Sequence, residues 1–422
     1  MSGVPPVPTS VTVDTALPVE RRRFGALRHR NFALLWSSLI ISNTGTWMQG
    51  VGQGWLVLEL TNRPFYLGLV SLAFALPMIF LPPVGGALSD RVDKLMLLRV
   101  VETLQACNAL LLAILTLTGL VTVWYIIAVA FVGATLLAVA NPNRQALLPS
   151  LVGRDDFMSA ISLNSAVFTG AALVGPALGG SLLGAIGSGG LFLINAASYA
   201  VVLFATLLMR GLDTRPQQRS ESGFWGDVTE GLRYVFSTRL LLLLITVSTL
   251  SGLLGRSYPS LLPVFARDEW HVGAQGYGWL LSAPGAGALI GAFGLAFFGE
   301  VRHKGRLLLG SLLAFALLLV LFAYSPLYWP AVGLLLVVGV LNSLFGTSIA
   351  TLIQTNAPGR LRGRAMSVYT ITVIGIPSLG AMGTASIAEA VGARNAVGIA
   401  AAALALVTLA LLFSSRRLRE AG

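Results

Sequence analysis

Residues Gly85 to Arg99 read GGALSDRVDKLMLLR. The stretch puts Asp90 and Asp93 with Arg91, Lys94 and Arg99 between two long apolar runs, in a connection too short to be a domain. Charges so placed belong at a membrane surface, because a bilayer core excludes them. Gly86 has no side chain and would let two helices approach closely at the turn. Asp90, Arg91, Asp93 and Lys94 follow within one or two helical turns, where opposite charges pair with each other or with the ends of neighbouring helices.

The rest of the chain asks for the same medium. Hydrophobic residues make up 55% of the 422 residues and charged ones only 11%, with a mean hydropathy of +0.80. A soluble protein of this length could not hide so much apolar surface, so the fold class is an all-α polytopic membrane protein. The net charge of +11 does not point to nucleic acid. Such a partner needs bases clustered on one folded face, and here they lie between apolar runs. Cys107 is the single cysteine, and His29, His271 and His303 lie far apart. No disulfide framework, metal site or cofactor is expected. A membrane-embedded enzyme or an ATP-driven pump would need a His/acid cluster or a glycine-rich phosphate loop with Lys, and neither is present in the sequence.

A hydrocarbon core about 30 Å thick needs roughly 20 apolar residues per helix. That window predicts twelve spans, at 32–58, 66–88, 96–119, 123–141, 158–186, 190–209, 240–266, 276–298, 306–324, 328–352, 365–391 and 395–413. If the first residue is cytoplasmic, 24 of the 28 bases fall in inner loops and tails, while Arg63, Arg267 and Arg394 fall outside and Arg256 lies within a span. This bias sets both termini in the cytoplasm. Residues 1–31 form an N-terminal tail, disordered at its start and without the pattern of a signal peptide. Residues 32–209 and 240–413 form two six-helix bundles, 210–239 a cytoplasmic linker and 414–422 a C-terminal tail. In the linker, Phe224, Trp225, Val228, Leu232, Val235 and Phe236 share one helical face, which fits either a helix lying on the inner membrane surface or a structured connection. Faint echoes link the halves: Glu300 to Arg306 stands where Asp90 to Lys94 does, and Gly359 to Met366 where Gly153 to Met158 does.

The fifth span carries Gly170, Gly175, Pro176, Gly179 and Gly180. Small residues at four-residue spacing let another backbone come close, and proline removes a helical hydrogen bond. Gly287, Gly291 and Gly294 give the eighth span a matching stripe, so these two spans are expected to pack across the interface between the halves.

The Gly85 to Arg99 stretch resembles the loop between helices 2 and 3 of the major facilitator superfamily, G-x-L-(A/S)-D-R-x-G-(R/K), with Asp93 where that family usually has Gly. The GPxxGG of the fifth span is similar to the motif of its exporters and antiporters. The first span (Ser42 to Gln49, Gln53 to Thr61) and Asn141 to Pro149 (NPNRQALLP), which the window places after the fourth span, resemble the enterobactin-exporter and macrolide-efflux branch. The resemblance covers about Phe24 to Phe413. It implies two halves rocking about a central site, export of a small amphipathic molecule, and exchange for protons. It also implies a gate of Gly86, Asp90, Arg91, Lys94 and Arg144. There Asp90 would face the start of the eleventh helix near Arg364, pair with Arg91 or Arg144, and hold the cytoplasmic side shut. An uptake carrier or facilitator of the same fold is the alternative, with a non-transporting sensor behind it.

Polar residues at intramembrane depth mark the substrate path. Asn43, Trp47, Gln49, Gln53, Trp55 and Arg256 are the candidates for substrate binding, with Glu59 as a partner for Arg256. Glu59 and Asp90 are the candidates for proton coupling; the spans hold few acids, and Glu59, Glu102 and Glu389 all lie toward predicted helix ends. Small-molecule substrate, protons and lipid are the expected partners, and a monomer in the inner (cytoplasmic) membrane the expected state.

Overall fold

A computed structural model describes residues 25–212, 233–298, 303–415 and 418. Most of the tails and of the linker with its interfacial helix, and residues 300–302 of the Glu300 to Arg306 loop, lie outside the described residues. Helices account for nearly all of the rest: α1 (Arg30–Thr61), α2 (Pro64–Phe80), α3 (Pro82–Arg91), α4 (Lys94–Leu117), α5 (Val123–Leu151), α6 (Phe157–Leu207), α7 (Arg239–Leu250), α8 (Gly273–Phe298), α9 (Lys304–Ala323), α10 (Tyr328–Asn356), α11 (Gly359–Ile374), α12 (Ile376–Val391) and α13 (Ala393–Ser414). Among the described residues nine helical segments are long and apolar enough to cross a bilayer, or ten if α2 and α3, bent by 47°, form one span. The difference from the predicted twelve lies in two places. The polar-rich α1 is not among the nine, and α6 counts once although it has 51 residues. At 1.5 Å per residue α6 would run about 76 Å, more than twice a hydrocarbon core. Gly187 breaks it, at φ 69° and ψ 175°, a conformation that favours glycine.

Several predicted spans need redrawing for local reasons. The second, expected to be continuous over 66–88, breaks at Leu81 because Pro82 and Pro83 restart the helix as α3. The fourth continues to Leu151, so NPNRQALLP lies inside α5 rather than after it. The segment Arg239–Glu269 is irregular: α7 gives way to a π turn at Ser251–Gly255, then a 3-10 turn at Tyr258–Leu261, then a second π turn at Phe265–Glu269. Pro259 and Pro263 lie in this stretch, and each removes a helical donor. The eleventh predicted span divides at Gly375 into α11 and α12.

The halves meet along two helix pairs lined by glycine. A Cβ on Gly68 of α2 would lie 2.8 Å from Met382 Cα of α12. One on Gly180 of α6 would lie 2.6 Å from Ala274 O and 2.7 Å from Gly278 Cα of α8. With no hydrophobic force between helices in lipid, such close backbone packing is what joins them.

Candidate functional site

The charged connection docks on α5 and does so through Gly85, not Gly86. A Cβ on Gly85 would meet Ala138 O and Val139 Cα at 2.7 Å, whereas one on Gly86 would find open space. One residue along a helix turns the side chain by about 100°, so only one of the pair can face a neighbour. Buried Ser89 donates to Asn143 Oδ1 at 2.8 Å, and Asn143 Nδ2 donates to Lys94 O at 2.9 Å. The two quoted motifs, GGALSDR and NPNRQALLP, are thus one packed unit. Asp93 is the N-cap of α4 and accepts from Met96 N at 2.7 Å. Its φ of −61° needs no glycine, which accounts for the departure from the family pattern.

The expected pairing of Asp90 with Arg91 or Arg144 is not made. Asp90 and Arg91 are exposed and Lys94 half-buried, and among the described residues the Asp90 side chain has no hydrogen bond or ion pair. Arg144 bonds Glu102 instead, Nη2 to Oε1 at 2.5 Å. Glu102, expected near a helix end, is fully buried. It belongs to a stripe on α4 at three-residue spacing: Arg99 donates to Thr206 O, Glu102 takes Arg144, Gln105 donates to Gly133 O and Asn108 to Val129 O. That spacing was the available signal: each step of three turns the side chain back by about 60°, so the four polar groups wind from the α6 side of an apolar helix to its α5 side.

The glycine motif serves two neighbours. Gly175 and Gly179 pack on α1, at Trp47 and Met48, while Gly180 and the Pro176 carbonyl meet Gly278 of α8. Gly170 lies against nothing. The expected stripe of α8 is also corrected: Gly287 and Gly291 face α10 at Leu336 and Val340, Gly294 is open, and the contact with α6 runs through Gly278 and Gly285.

The remaining candidates divide between the halves. Asn43 Nδ2 donates to Leu39 O of its own helix. Gln49 accepts from buried Asn195 at 2.7 Å. Gln53 Nε2 is buried without a partner among the described residues. Trp55 stacks on Tyr277 of α8 with ring centroids 6.3 Å apart and donates to Glu59 at 2.6 Å. Arg256 sits at the break in Arg239–Glu269, half-buried, and the expected Glu59–Arg256 pair is not formed. Asn195 and Tyr277, which sequence reasoning passed over, close the α1 face toward α6 and α8.

At the end bearing the α1–α2 turn the halves are tied by charge as well as packing. Arg63 pairs with Glu389 of α12, and Arg267 donates to Leu58 O and to Asn62 Oδ1. Contacts between halves continue inward, at Gly285 with Ala172 and at Gly375, where α11 meets α12, with Ile79 near the end of α2.

Two helical halves with glycine-lined seams, polar residues between them and charged turns at the ends define a multi-pass membrane transporter of the major facilitator superfamily. The chain belongs to the transmembrane secretion effector family, whose model matches residues 22–421. It is similar to the multidrug efflux pump Tap of Mycolicibacterium fortuitum, 23% identical over 85% of this chain and 89% of the relative. It is also similar to the staphyloferrin A transporter of Staphylococcus aureus, 25% identical over 91% and 96%. The enterobactin exporter of Escherichia coli is 25% identical over 93% and 94%. In fold it matches the nucleoside transporter NupG, with TM-score 0.74 and 16% identity over 92% of this chain and 100% of that one. A bacterial homolog of the lysosomal transporter Spinster, solved inward-facing and unoccupied, matches with TM-score 0.72 and 14% identity over 92% and 98%.

Proposed function

We propose that the protein is a secondary active exporter with twelve spans in the cytoplasmic membrane, both termini inside. It would move a small amphipathic molecule outward by alternating access, as a monomer and in exchange for protons. The observation that carries this reading is one-sided closure. Arg63–Glu389, Arg267–Asn62 and the glycine seams join the halves at one end, while at the other end the Asp90 side chain has no hydrogen bond or ion pair among the described residues. The excess of bases at the Asp90 end supports a cytoplasmic location for it. In that orientation this is the state closed outside and open inside, and Asp90 with Arg91 and Lys94 would engage the second half only when the halves rock over. The efflux and siderophore-export relatives support the outward direction.

For coupling, Glu102 joins Glu59 and Asp90 as a candidate. Its carboxylate is fully buried, and among the described residues it pairs with the Arg144 guanidinium, which a proton on Glu102 would release. Everted vesicles loaded with protons test the whole reading. Gradient-dependent accumulation of a dye, a macrolide or a catecholate siderophore is expected. Flux indifferent to the gradient would indicate a facilitator, and flux in the opposite direction an uptake carrier.

A further inference from the structure

Arg256 is a guanidinium in the middle of a membrane segment, 17 residues from Arg239 and 13 from Glu269. Thirteen residues of helix rise about 20 Å, beyond the reach of a lipid headgroup for a side chain at that depth. Among the described residues it has no ion pair and no hydrogen bond from any of its five N–H groups. The acids of the spans are engaged elsewhere: Glu59 with Trp55, Glu102 with Arg144, Glu389 with Arg63. The nearby hydroxyls are also committed as donors or to each other. Ser248 bonds Thr372 at 2.6 Å, Thr384 bonds Ser257 at 3.0 Å and Tyr369 donates to Gly346 O at 3.0 Å.

The backbone around Arg256 leads to the same place. A π turn ends at Gly255, and Arg256 N donates to Ser251 O at 2.8 Å across it; a 3-10 turn starts at Tyr258. Irregular backbone at membrane depth is tolerated where it is buried in protein or lines a cavity. Broken helices of transporters supply substrate sites in this way.

We infer that Arg256 is an anion-binding group and that the transported molecule carries a carboxylate, catecholate or comparable anion, which docks on the guanidinium at the break in Arg239–Glu269. This rests on the transporter reading above and narrows it to a substrate class. An unpaired cation in a membrane protein is expensive to hold, and a bidentate anion is the ligand its planar donor fork fits. A cationic drug would meet repulsion there, with no free carboxylate described nearby to offset it.

The test separates binding from transport. Carboxyfluorescein and rhodamine 6G share a xanthene ring and differ in the sign of their charge; a catecholate siderophore and a citrate-based one complete the panel. Each is titrated against purified full-length protein by thermal shift and tryptophan fluorescence, and then assayed for flux in proteoliposomes, for wild type, Arg256→Lys and Arg256→Gln. Expected is binding of at least one anion that weakens tenfold or more in Arg256→Gln and is partly kept in Arg256→Lys, with rhodamine 6G bound more weakly than carboxyfluorescein. Anion binding without outward flux would sink the exporter reading and leave this inference standing. Rhodamine binding equal to that of the anions, anion affinity unchanged in Arg256→Gln, or no anion bound at all would each overturn it.

Discussion

The Glu102 carboxylate and the Arg144 guanidinium stand 2.5 Å apart in the interior of the first half, joining α4 to α5, and Glu102 has no exposed surface. Glu102 Oε2 and Arg144 Nε are buried without a hydrogen-bond partner among the described residues. Desolvation of two such groups takes back much of their Coulomb attraction, so the pair adds little net stability, yet removing one partner strands the other. Glu102→Gln is therefore expected to lower stability by about 3–5 kcal/mol. Glu102→Leu with Arg144→Met, both apolar and of similar volume, is expected to return within about 1 kcal/mol of wild type. Thermal unfolding in detergent measures both. If Glu102 takes the coupling proton, the double variant folds and binds substrate but loses gradient-driven flux. A double variant that still responds to the gradient would remove Glu102 from coupling.

Gly85 and Gly86 offer a contrast within one motif. Gly85→Val would drive a side chain into the Ala138 carbonyl and Val139 backbone, neither of which can step aside, and should cost on the order of 1–3 kcal/mol through overpacking. Gly86→Ala meets nothing and replaces glycine within α3, so it should be neutral or slightly stabilising. Expression level and melting temperature of the two variants decide the matter; a damaging Gly86→Ala with a tolerated Gly85→Val would mean the helices pack the other way round.

The contrast marks how far a sequence reading goes. Hydropathy and the distribution of Lys and Arg disclosed the helical membrane fold, because a bilayer acts on whole segments. Which residue of Gly85-Gly86 faces α5 depends on helix phase, and phase is invisible where a segment is apolar all round. The same limit hid Glu102, whose distance from the start of α4 says nothing of its burial, although the three-residue spacing of Arg99, Glu102, Gln105 and Asn108 was legible. Proline disclosed the break at Leu81 only in hindsight, and the π turns beside Arg256 leave no mark in composition. Arg256 itself was legible as a lone charge within a span.

Asp90 is exposed and makes no hydrogen bond or ion pair among the described residues, so its charge contributes little to holding this state together. If it engages the second half in the opposite state, Asp90→Asn should leave the protein folded and in the membrane, with an unchanged melting temperature, and reduce export at least tenfold. The expected signature is a population shifted toward the present arrangement. Export near the wild-type rate in the variant would refute the gate.

At the other end, Arg63 and Glu389 are a partly exposed pair, and such pairs contribute about 0.2–1 kcal/mol. That is small for folding but enough to bias an equilibrium between two states by up to about fivefold. Arg63→Glu places two acids together and Glu389→Arg two bases, so each single change should favour separation of this end, while the double exchange should restore closure. Spin labels at Leu60 and Val391, both exposed, report the separation in a background where Cys107 is replaced by Ser. Longer distances in both single variants and recovery in the double exchange are expected, most clearly at low salt, where screening is least. Unchanged distances in the single variants would assign closure to the Gly68–Met382 and Gly180–Gly278 seams and to Arg267 on Asn62, with the ion pair a passenger.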